Sequence, residues 1–177
     1  MAQNESERML TDYLTGRPVP DVGAEANRQA VERLLVEEKG YTRNEIEVDA
    51  PIVLEIDGDT YRSRVDLVVG IGGRRLMAIK CAAGSLDSRQ REIVAAGRLL
   101  DSGRTLPLAV ASDGDGAIVW DGATGREIGI GLAAIPDRAT LASGFGAVEI
   151  PALDERRLAR ERIVFRSYDG MNVNLNR

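Results

Sequence analysis

The sequence predicts an α/β domain in which a central β-sheet is flanked by helices. Apolar residues recur at helical spacing over 24–39 and 85–102, and shorter apolar runs separated by glycine-rich turns fill the stretches between and after them. The 177 residues are enough for one domain with a real core. We therefore expect one domain over 24–150, a loosely ordered lead-in over 1–23 and a helical extension over 151–177.

The order of these elements follows from their local patterns. Residues 1–23 have no clean period and contain two prolines, with a short helix expected over 10–14. The helix over 24–39 ends at Gly40, and the helix over 85–102 begins near a capping serine or aspartate. Strands are expected over 45–56, 61–69, 75–82, 106–111, 117–120 and 127–130, followed by an irregular stretch over 136–150 and a terminal helix over 154–168.

Two apolar runs on either side of a glycine turn at 70–73 predict a β-hairpin. A turn centred on Gly72 places Asp66 directly opposite Ala78, and Lys80 shares their face because side chains alternate along a strand. The other face then carries six apolar residues whose burial fixes the register: Val65, Leu67, Val69, Met77, Ile79 and Cys81. An acid and a lysine therefore converge on one face.

The absence of histidine excludes whole classes of chemistry. Triads built on histidine and histidine-bearing zinc or iron sites are not available to this chain. Oxygen ligands remain, and these suit Mg²⁺ or Mn²⁺. The single cysteine, Cys81, excludes an internal disulfide, and its place on an apolar strand face predicts a buried thiol.

The distribution of charge bears on the kind of partner. The net charge of −5 argues against indiscriminate binding of polyanions. Residues 60–104, however, carry nine basic and four acidic residues, a local charge of +5 that leaves −10 for the rest of the chain. These basic residues either form a DNA-facing patch or are solvated around a hairpin and a helix. No apolar run is long enough for a membrane span and residues 1–7 do not resemble a signal peptide, so we expect a cytoplasmic protein.

Four polar residues are candidates for a functional site. Lys80 is one of two lysines beside 21 arginines, and its compact ammonium suits a place near a scissile phosphate; alternatively, it extends to solvent at a strand end. Asp66 interrupts an apolar strand, where its carboxylate would bind Mg²⁺ or pair with a neighbouring cation. Gln90 lies in the inner stripe of the second helix, and a buried amide needs a polar partner. Glu25 begins the first helix, where it either favours the helix dipole or points at the site.

The order of a helix with Glu25, a strand with Asp66, a strand with Lys80 and a helix with Gln90 resembles the N-terminal nuclease domain of type I restriction enzyme motor subunits. The likeness runs over about 24–130 and is most specific in the segments RLLVEEKGY, EVDAPIVLEIDG, YRSRVDLVV and MAIKCAAGS. Because those domains belong to the PD-(D/E)xK nuclease superfamily, the resemblance implies a restriction-endonuclease-like core with a mixed central sheet. It also implies Mg²⁺ or Mn²⁺ as the cofactor, and DNA and restriction-modification subunits as partners.

By position, the resemblance assigns metal binding to Asp66, orientation and deprotonation of water to Lys80, and assisting roles to Glu25 and Gln90. The second metal-ligating residue, a Glu, falls on Ala78, which has no oxygen to offer. Three explanations are open. The chain is a degenerate relative that binds nucleic acid or a partner without cutting; another acid such as Glu25 serves as the metal ligand; or the alanine is an introduced inactivating substitution.

Two functions of different classes are therefore open. One is a Mg²⁺-dependent DNA endonuclease domain that hydrolyses phosphodiesters and is impaired by Ala78, with the metal not bound for lack of the second carboxylate. The alternative is a non-catalytic nucleic-acid-binding or assembly module of the same fold. An α/β protein whose hairpin matches by accident is a third interpretation. Cutting both strands of a duplex usually needs two sites, so a homodimer is one option for assembly.

Overall fold

A computed structural model describes residues 8–173 and places a six-stranded sheet at the centre of the fold. The strands are β1 (Met9–Thr11), β2 (Pro18–Pro20), β3 (Ile46–Ile56), β4 (Asp59–Ile71), β5 (Arg74–Cys81), β6 (Leu108–Ser112), β7 (Ala117–Asp121) and β8 (Glu127–Ile130). The α-helices are α1 (Glu25–Arg33), α2 (Gln90–Leu99), α3 (Arg138–Phe145) and α4 (Glu155–Val173). The sheet order is β3-β4-β5-β6-β7-β8, and β1 pairs separately with β2.

The central sheet is mixed. β5 and β6 run parallel, while the other neighbouring strands of the six run antiparallel. Parallel neighbours need a crossover connection, and α2 provides it between β5 and β6. This arrangement confirms the predicted α/β fold class, with a mixed central sheet flanked by helices as in a restriction-endonuclease-like domain.

Two clusters of buried apolar side chains join the helices to the sheet. The first brings Val31 of α1 and Leu141 of α3 against Leu67 of β4 and its neighbours. The second brings Ile93 of α2 and Phe165 of α4 into the same core as β4, β5 and β6. The terminal helix is therefore part of the main core rather than an appendage to it.

The register of β4 against β5 differs from the expected one. Val68, not Asp66, pairs with Ala78. The expectation that Asp66 lies directly opposite Ala78 is therefore wrong, and continuing the observed register places Asp66 across from Lys80. Because the displacement amounts to two residues, side-chain alternation keeps Asp66 and Lys80 on one face.

The position of the turn and a β-bulge together cause this displacement. Ile71 pairs with Arg74, so the turn is centred between Gly72 and Gly73, which accounts for one residue, and the bulge adds the second. The register shifts between Val69 and Gly70, and a Cβ on Gly70 would lie 2.8 Å from the carbonyl oxygen of Arg74. Only glycine allows the two backbones to approach so closely. Five of the six apolar residues expected on the opposite face are found in the first cluster, but Val65 packs in the second cluster with Ala50.

The first described residues form a strand pair where a short helix was expected over 10–14. β1 pairs antiparallel with β2, and Asp12 shapes the turn between them because its Oδ1 accepts the backbone N–H of Thr15 at 2.7 Å. Aspartate side chains compete in this way with helical hydrogen bonds. Residues 1–7 of the predicted lead-in lie outside the described residues.

The helices also depart from the expected ranges. α1 gives way to a π-helical turn over Leu34–Glu38, and Gly40, with φ +75°, ends the whole segment. The stretch over 136–150, expected to be irregular, contains α3, whose N-terminus is capped by Asp137 accepting the Thr140 N–H at 2.7 Å. Within the described part of the chain, no helix is both long and apolar enough to cross a membrane.

Both edge strands of the sheet have irregular features. β3 contains Pro51, which has no backbone N–H, and Asp49, which has a φ of +53°. β8 spans only four residues and exposes Ile128 and Ile130.

Candidate functional site

Three charged side chains meet where β4, β5 and α2 come together. The Nζ of Lys80 lies 3.7 Å from Oδ2 of Asp66 and 3.0 Å from Oε1 of Glu92. The side chains of Asp66 and Lys80 are 21% and 17% exposed, whereas that of Glu92 is only 3% exposed. The acid and the lysine therefore converge as the alternation of strand side chains predicted, and a second acid joins them from the helix.

The backbone of β5 fixes the Asp66 carboxylate. Its Oδ2 accepts a hydrogen bond from the N–H of Cys81 at 2.7 Å. The thiol of Cys81 is buried, as expected, and that burial raises its pKa well above the usual value. Cys81 therefore serves this site through its backbone and not through a reactive sulfur.

Burial acts against the charged form of all three groups. It raises the pKa of the Asp66 and Glu92 carboxyls, and the charge of Lys80 opposes that rise. At Lys80 burial favours the neutral amine, but the Asp66 and Glu92 carboxylates outweigh it and raise the pKa of the ammonium above its usual value. Lys80 is therefore a positive charge held between two carboxylates.

The terminal helix brings a further carboxylate to the border of this site. Asp169 of α4 is 4% exposed, and its Oδ2 accepts a hydrogen bond from the Tyr61 hydroxyl at 2.6 Å. Burial lowers the pKa of Lys80 and raises that of Glu92, and at both groups the negative charge of Asp169 is a smaller cause that raises the pKa. Asp169 is thus within electrostatic reach of the site.

Glu25 belongs to a second charged cluster, centred on Arg28 of α1. Arg28 contacts Glu25 at 2.7 Å, Asp12 at 2.9 Å and Glu32 at 3.1 Å. In the described part of the chain, no hydrogen bond or ion pair joins Glu25 to Asp66. The charge of Arg28 has only a minor effect on Asp66: burial, the largest cause, raises the pKa of the Asp66 carboxyl, and Arg28 is the smallest of the causes that lower it. A metal-binding role for Glu25 stays a prediction.

Gln90 finds its polar partner in a loop. As the first residue of α2, it donates from Nε2 to the carbonyl oxygen of Gly125 at 2.8 Å. It lines a groove of about 410 Å³ together with residues of α2, α4 and the loop after β7. Asp66, Lys80 and Glu92 do not line this groove, and an assisting role for Gln90 in their chemistry stays a prediction.

Ala78 is enclosed by the core. It is fully buried and packs in the second apolar cluster with Ile93 of α2. No carboxylate enters the site from this position. A larger side chain here would have to displace the packing of α2 against the sheet.

Ion pairs with acids elsewhere in the chain neutralise part of the positive charge of residues 60–104. Arg75 contacts Glu47 at 2.8 Å. Arg98 contacts Glu161 at 2.7 Å. Since both acids lie outside the stretch, they reduce its excess of positive charge, whereas Arg62 of β4 is exposed. A DNA-facing patch would therefore depend on a few exposed arginines, not on the whole stretch.

The donor set at the site does not fit a divalent cation while Lys80 holds its place. Among residues 8–173, no group of three or more Asp, Glu, Cys or His side chains is arranged to hold a metal ion. The two carboxylates that do converge, Asp66 and Glu92, converge on the ammonium of Lys80. The oxygens that Mg²⁺ would need are thus already in contact with a cation.

Two acidic residues at the site, Glu92 and Asp169, were not singled out from the sequence. Glu92 had a detectable signal, because Ala95, Ala96 and Leu99 follow it at helical spacing and place it on the apolar stripe of α2. Asp169 had none, because its burial depends on how α4 docks against the sheet, which no local pattern encodes.

Comparison with known proteins supports the resemblance seen in the motifs. The family model described as type I restriction enzyme R protein N terminus matches residues 23–136. No curated protein and no solved structure matches the chain. The matched segment contains Asp66, Lys80 and Glu92, whereas β1, β2 and α4 lie outside it.

Proposed function

The chain belongs to the family of type I restriction enzyme R protein N termini, and we propose on this premise that it is a nuclease-type domain that acts on DNA with impaired phosphodiester hydrolysis. The observation that carries the proposal is the pair of Asp66 and Lys80, 3.7 Å apart on neighbouring strands of the matched segment. These are the positions to which the resemblance assigns metal binding and activation of water. A buried Ala78 in place of the second metal-ligating carboxylate is the reason for the impairment.

The side chains at the site have limited freedom to take up these roles. An ammonium can stabilise a negative phosphate oxygen, but that of Lys80 first has to release Asp66 or Glu92. Glu92 is the acid best placed to stand in for a carboxylate at position 78, because it contacts Lys80 at 3.0 Å. A divalent metal, Mg²⁺ or Mn²⁺, is what the family suggests; at this site it would compete with Lys80 for the same oxygens.

Cleavage assays test this proposal directly. Plasmid and single-stranded DNA are incubated with Mg²⁺ or Mn²⁺ and the parent protein, the Ala78→Glu variant or the Ala78→Glu, Lys80→Ala double variant. We expect little or no cleavage by the parent, cleavage by Ala78→Glu, and loss of that cleavage in the double variant. Circular dichroism accompanies each assay, because a glutamate at position 78 has to enter packed space beside α2.

Each other outcome points to a different interpretation. Cleavage by the parent would mean that another acid serves as the working carboxylate, and Glu92 would be the first residue to replace. If folded Ala78→Glu and the parent both fail to cut and also fail to bind DNA, the proposal is wrong.

The second candidate is a non-catalytic nucleic-acid-binding or assembly module of the same fold. It is favoured by the contacts that hold Lys80 to Asp66 and Glu92, which leave the lysine unavailable for chemistry. Fluorescence anisotropy with labelled DNA in EDTA measures binding without hydrolysis. Arg62→Ala, at an exposed position of β4, should weaken binding several-fold and lower the salt dependence by about one counterion, whereas Arg17→Ala, exposed between β1 and β2, should not.

Partners other than DNA follow from the same proposal. Restriction-modification subunits are the expected protein partners, a homodimer would supply the two sites that duplex cleavage needs, and the cytoplasm is where such a domain would meet them. Light scattering on the chain with and without duplex DNA decides between a monomer and a dimer.

A further inference from the structure

The charges at the Asp66–Lys80–Glu92 site are arranged around a lysine, not around an empty centre. Oxygens from two different elements, Oδ2 on β4 and Oε1 on α2, both face the Nζ of Lys80, at 3.7 and 3.0 Å. The Oδ2 of Asp66 also accepts the Cys81 N–H at 2.7 Å, which fixes its position against β5. The lysine is therefore the common neighbour of both carboxylates.

A divalent cation and this ammonium would need the same space. Mg²⁺ binds oxygen at about 2.0–2.1 Å, so a metal shared by Asp66 and Glu92 would have to lie between their oxygens, where Nζ now is. An ammonium and a divalent cation together would carry a charge of +3 against the −2 of these two carboxylates, and their repulsion is only partly screened where Lys80 and Asp66 are 17% and 21% exposed. Nearby Asp169 adds negative charge that favours retention of the lysine.

We propose that Lys80 is the resident counter-cation of this site, so that the natural chain binds no divalent metal there, and that removing the lysine charge would create a site for one. The inference uses the same residues as the proposed function but does not depend on cleavage or DNA binding. It departs from the divalent metal that the family suggests, because the carboxylates needed for metal are already neutralised by this chain's own side chain.

Thermal unfolding of the full chain with MnCl₂ or with EDTA tests the proposal. The variants are Lys80→Met, Lys80→Met combined with Glu92→Gln, and Lys39→Met, which removes the other lysine of the chain. We expect Mn²⁺ to leave the Tm of the parent and of Lys39→Met unchanged. It should raise the Tm of Lys80→Met by about 5 °C, and the added Glu92→Gln should remove that rise.

Two results would overturn the proposal. A rise in the parent equal to that in Lys80→Met would show that a cation fits beside the lysine. No rise in a folded Lys80→Met would show that the two carboxylates do not form a cation position.

If Lys80→Met does not fold, an NMR measurement on the parent protein still tests the proposal. With ¹⁵N-labelled lysine the chain gives signals from only two side chains, Lys39 and Lys80. Paramagnetic Mn²⁺ bound at the site would broaden the Lys80 signal far more than that of Lys39. Equal, weak broadening of both signals supports the proposal, and selective broadening of Lys80 overturns it. Because neither readout involves DNA, failure here and failure of the proposed function are distinguishable.

Discussion

Glu32 is fully buried on α1, and its Oε2 has no hydrogen-bond partner among the residues that the structure describes. Its other oxygen contacts Arg28 at 3.1 Å. Burial raises the pKa of Glu32 to about 7, and the Arg28 charge only partly opposes this. A single carboxylate under the N-terminal strand pair is therefore a source of pH-dependent stability, unlike the exposed acids that make up most of the net negative charge.

We expect the free energy of unfolding to fall between pH 4.5 and about 7 because of Glu32. In the unfolded chain this group titrates near its ordinary value of 4.5, whereas in the folded chain it titrates near 7. As the pH rises, the unfolded state loses the proton first, so the free energy of unfolding falls by up to about 3 kcal/mol. It is constant again once Glu32 is ionised in both states. Urea unfolding at pH 5 and pH 8 measures the difference.

The Glu32→Gln variant should remove the part of this dependence that belongs to Glu32, whereas the part from Asp66 and Glu92, whose carboxyl pKa values burial also raises, should remain. Because no buried charge has to form, it should be more stable than the parent at pH 8 by about 1–2 kcal/mol. Glu38→Gln, at an exposed position of the following π-helical turn, is the matched control and should keep the full pH dependence. An unchanged dependence in Glu32→Gln would contradict the assignment.

Among the secondary-structure elements, the β4–β5 hairpin best shows what the sequence can and cannot predict. The apolar runs predicted both strands, and side-chain alternation predicted that Asp66 and Lys80 share a face. The register could not be predicted, because the two-residue shift combines a turn centred between Gly72 and Gly73 with a bulge at Gly70, where the backbone packs against Arg74. The prediction that both side chains share a face still holds, because the register shift is two residues and side chains alternate with a period of two.

Gly70→Ala is expected to destabilise the hairpin. A Cβ at Gly70 would lie 2.8 Å from the carbonyl oxygen of Arg74, so the backbone has to move; we expect a loss of about 1–3 kcal/mol. Gly144→Ala is the control, because a Cβ in this part of α3 meets nothing within 4 Å and should stabilise the helix by about 0.5–1 kcal/mol. Thermal unfolding of both variants checks the prediction, which equal effects would contradict.

The contact between α4 and the sheet gives a second prediction about the elements. Tyr61→Phe keeps the edge-on packing against Phe165 but removes the 2.6 Å hydrogen bond to Asp169. Since this leaves a buried carboxylate without its donor, we expect a loss of about 1.5–3 kcal/mol. Tyr168→Phe removes an exposed hydroxyl that lies 3.3 Å from Arg91 and should cost less than about 0.5 kcal/mol.

At the scale of the whole molecule, the spacing of apolar residues predicted the α/β class. It did not predict that residues near both ends of the chain contact the central domain. The matched family segment stops at residue 136, yet Phe165 of α4 is buried in the core that contains Val68 and Ala78. Asp12, upstream of that segment, is tied to Arg28 at 2.9 Å. Such contacts join residues far apart in sequence, so local patterns do not reveal them.

A chain cut back to 1–150 is therefore expected to lose cooperative folding. Without α4 it would expose the apolar surface that Phe165 covers and leave Tyr61 without its partner Asp169. Calorimetry should show a sharp transition for residues 1–177 and none for the shorter chain. A transition of equal sharpness and midpoint in both would establish α4 as dispensable.

The irregular edges of the sheet limit how copies of this chain can aggregate. Strand-by-strand growth needs a long, regular row of unpaired N–H and C=O groups. β3 interrupts such a row with Pro51 and with Asp49 at φ +53°, and β8 offers only four residues. Amyloid-like extension of the sheet is disfavoured at both ends, so two copies would associate more readily through helices and loops than by forming one continuous sheet.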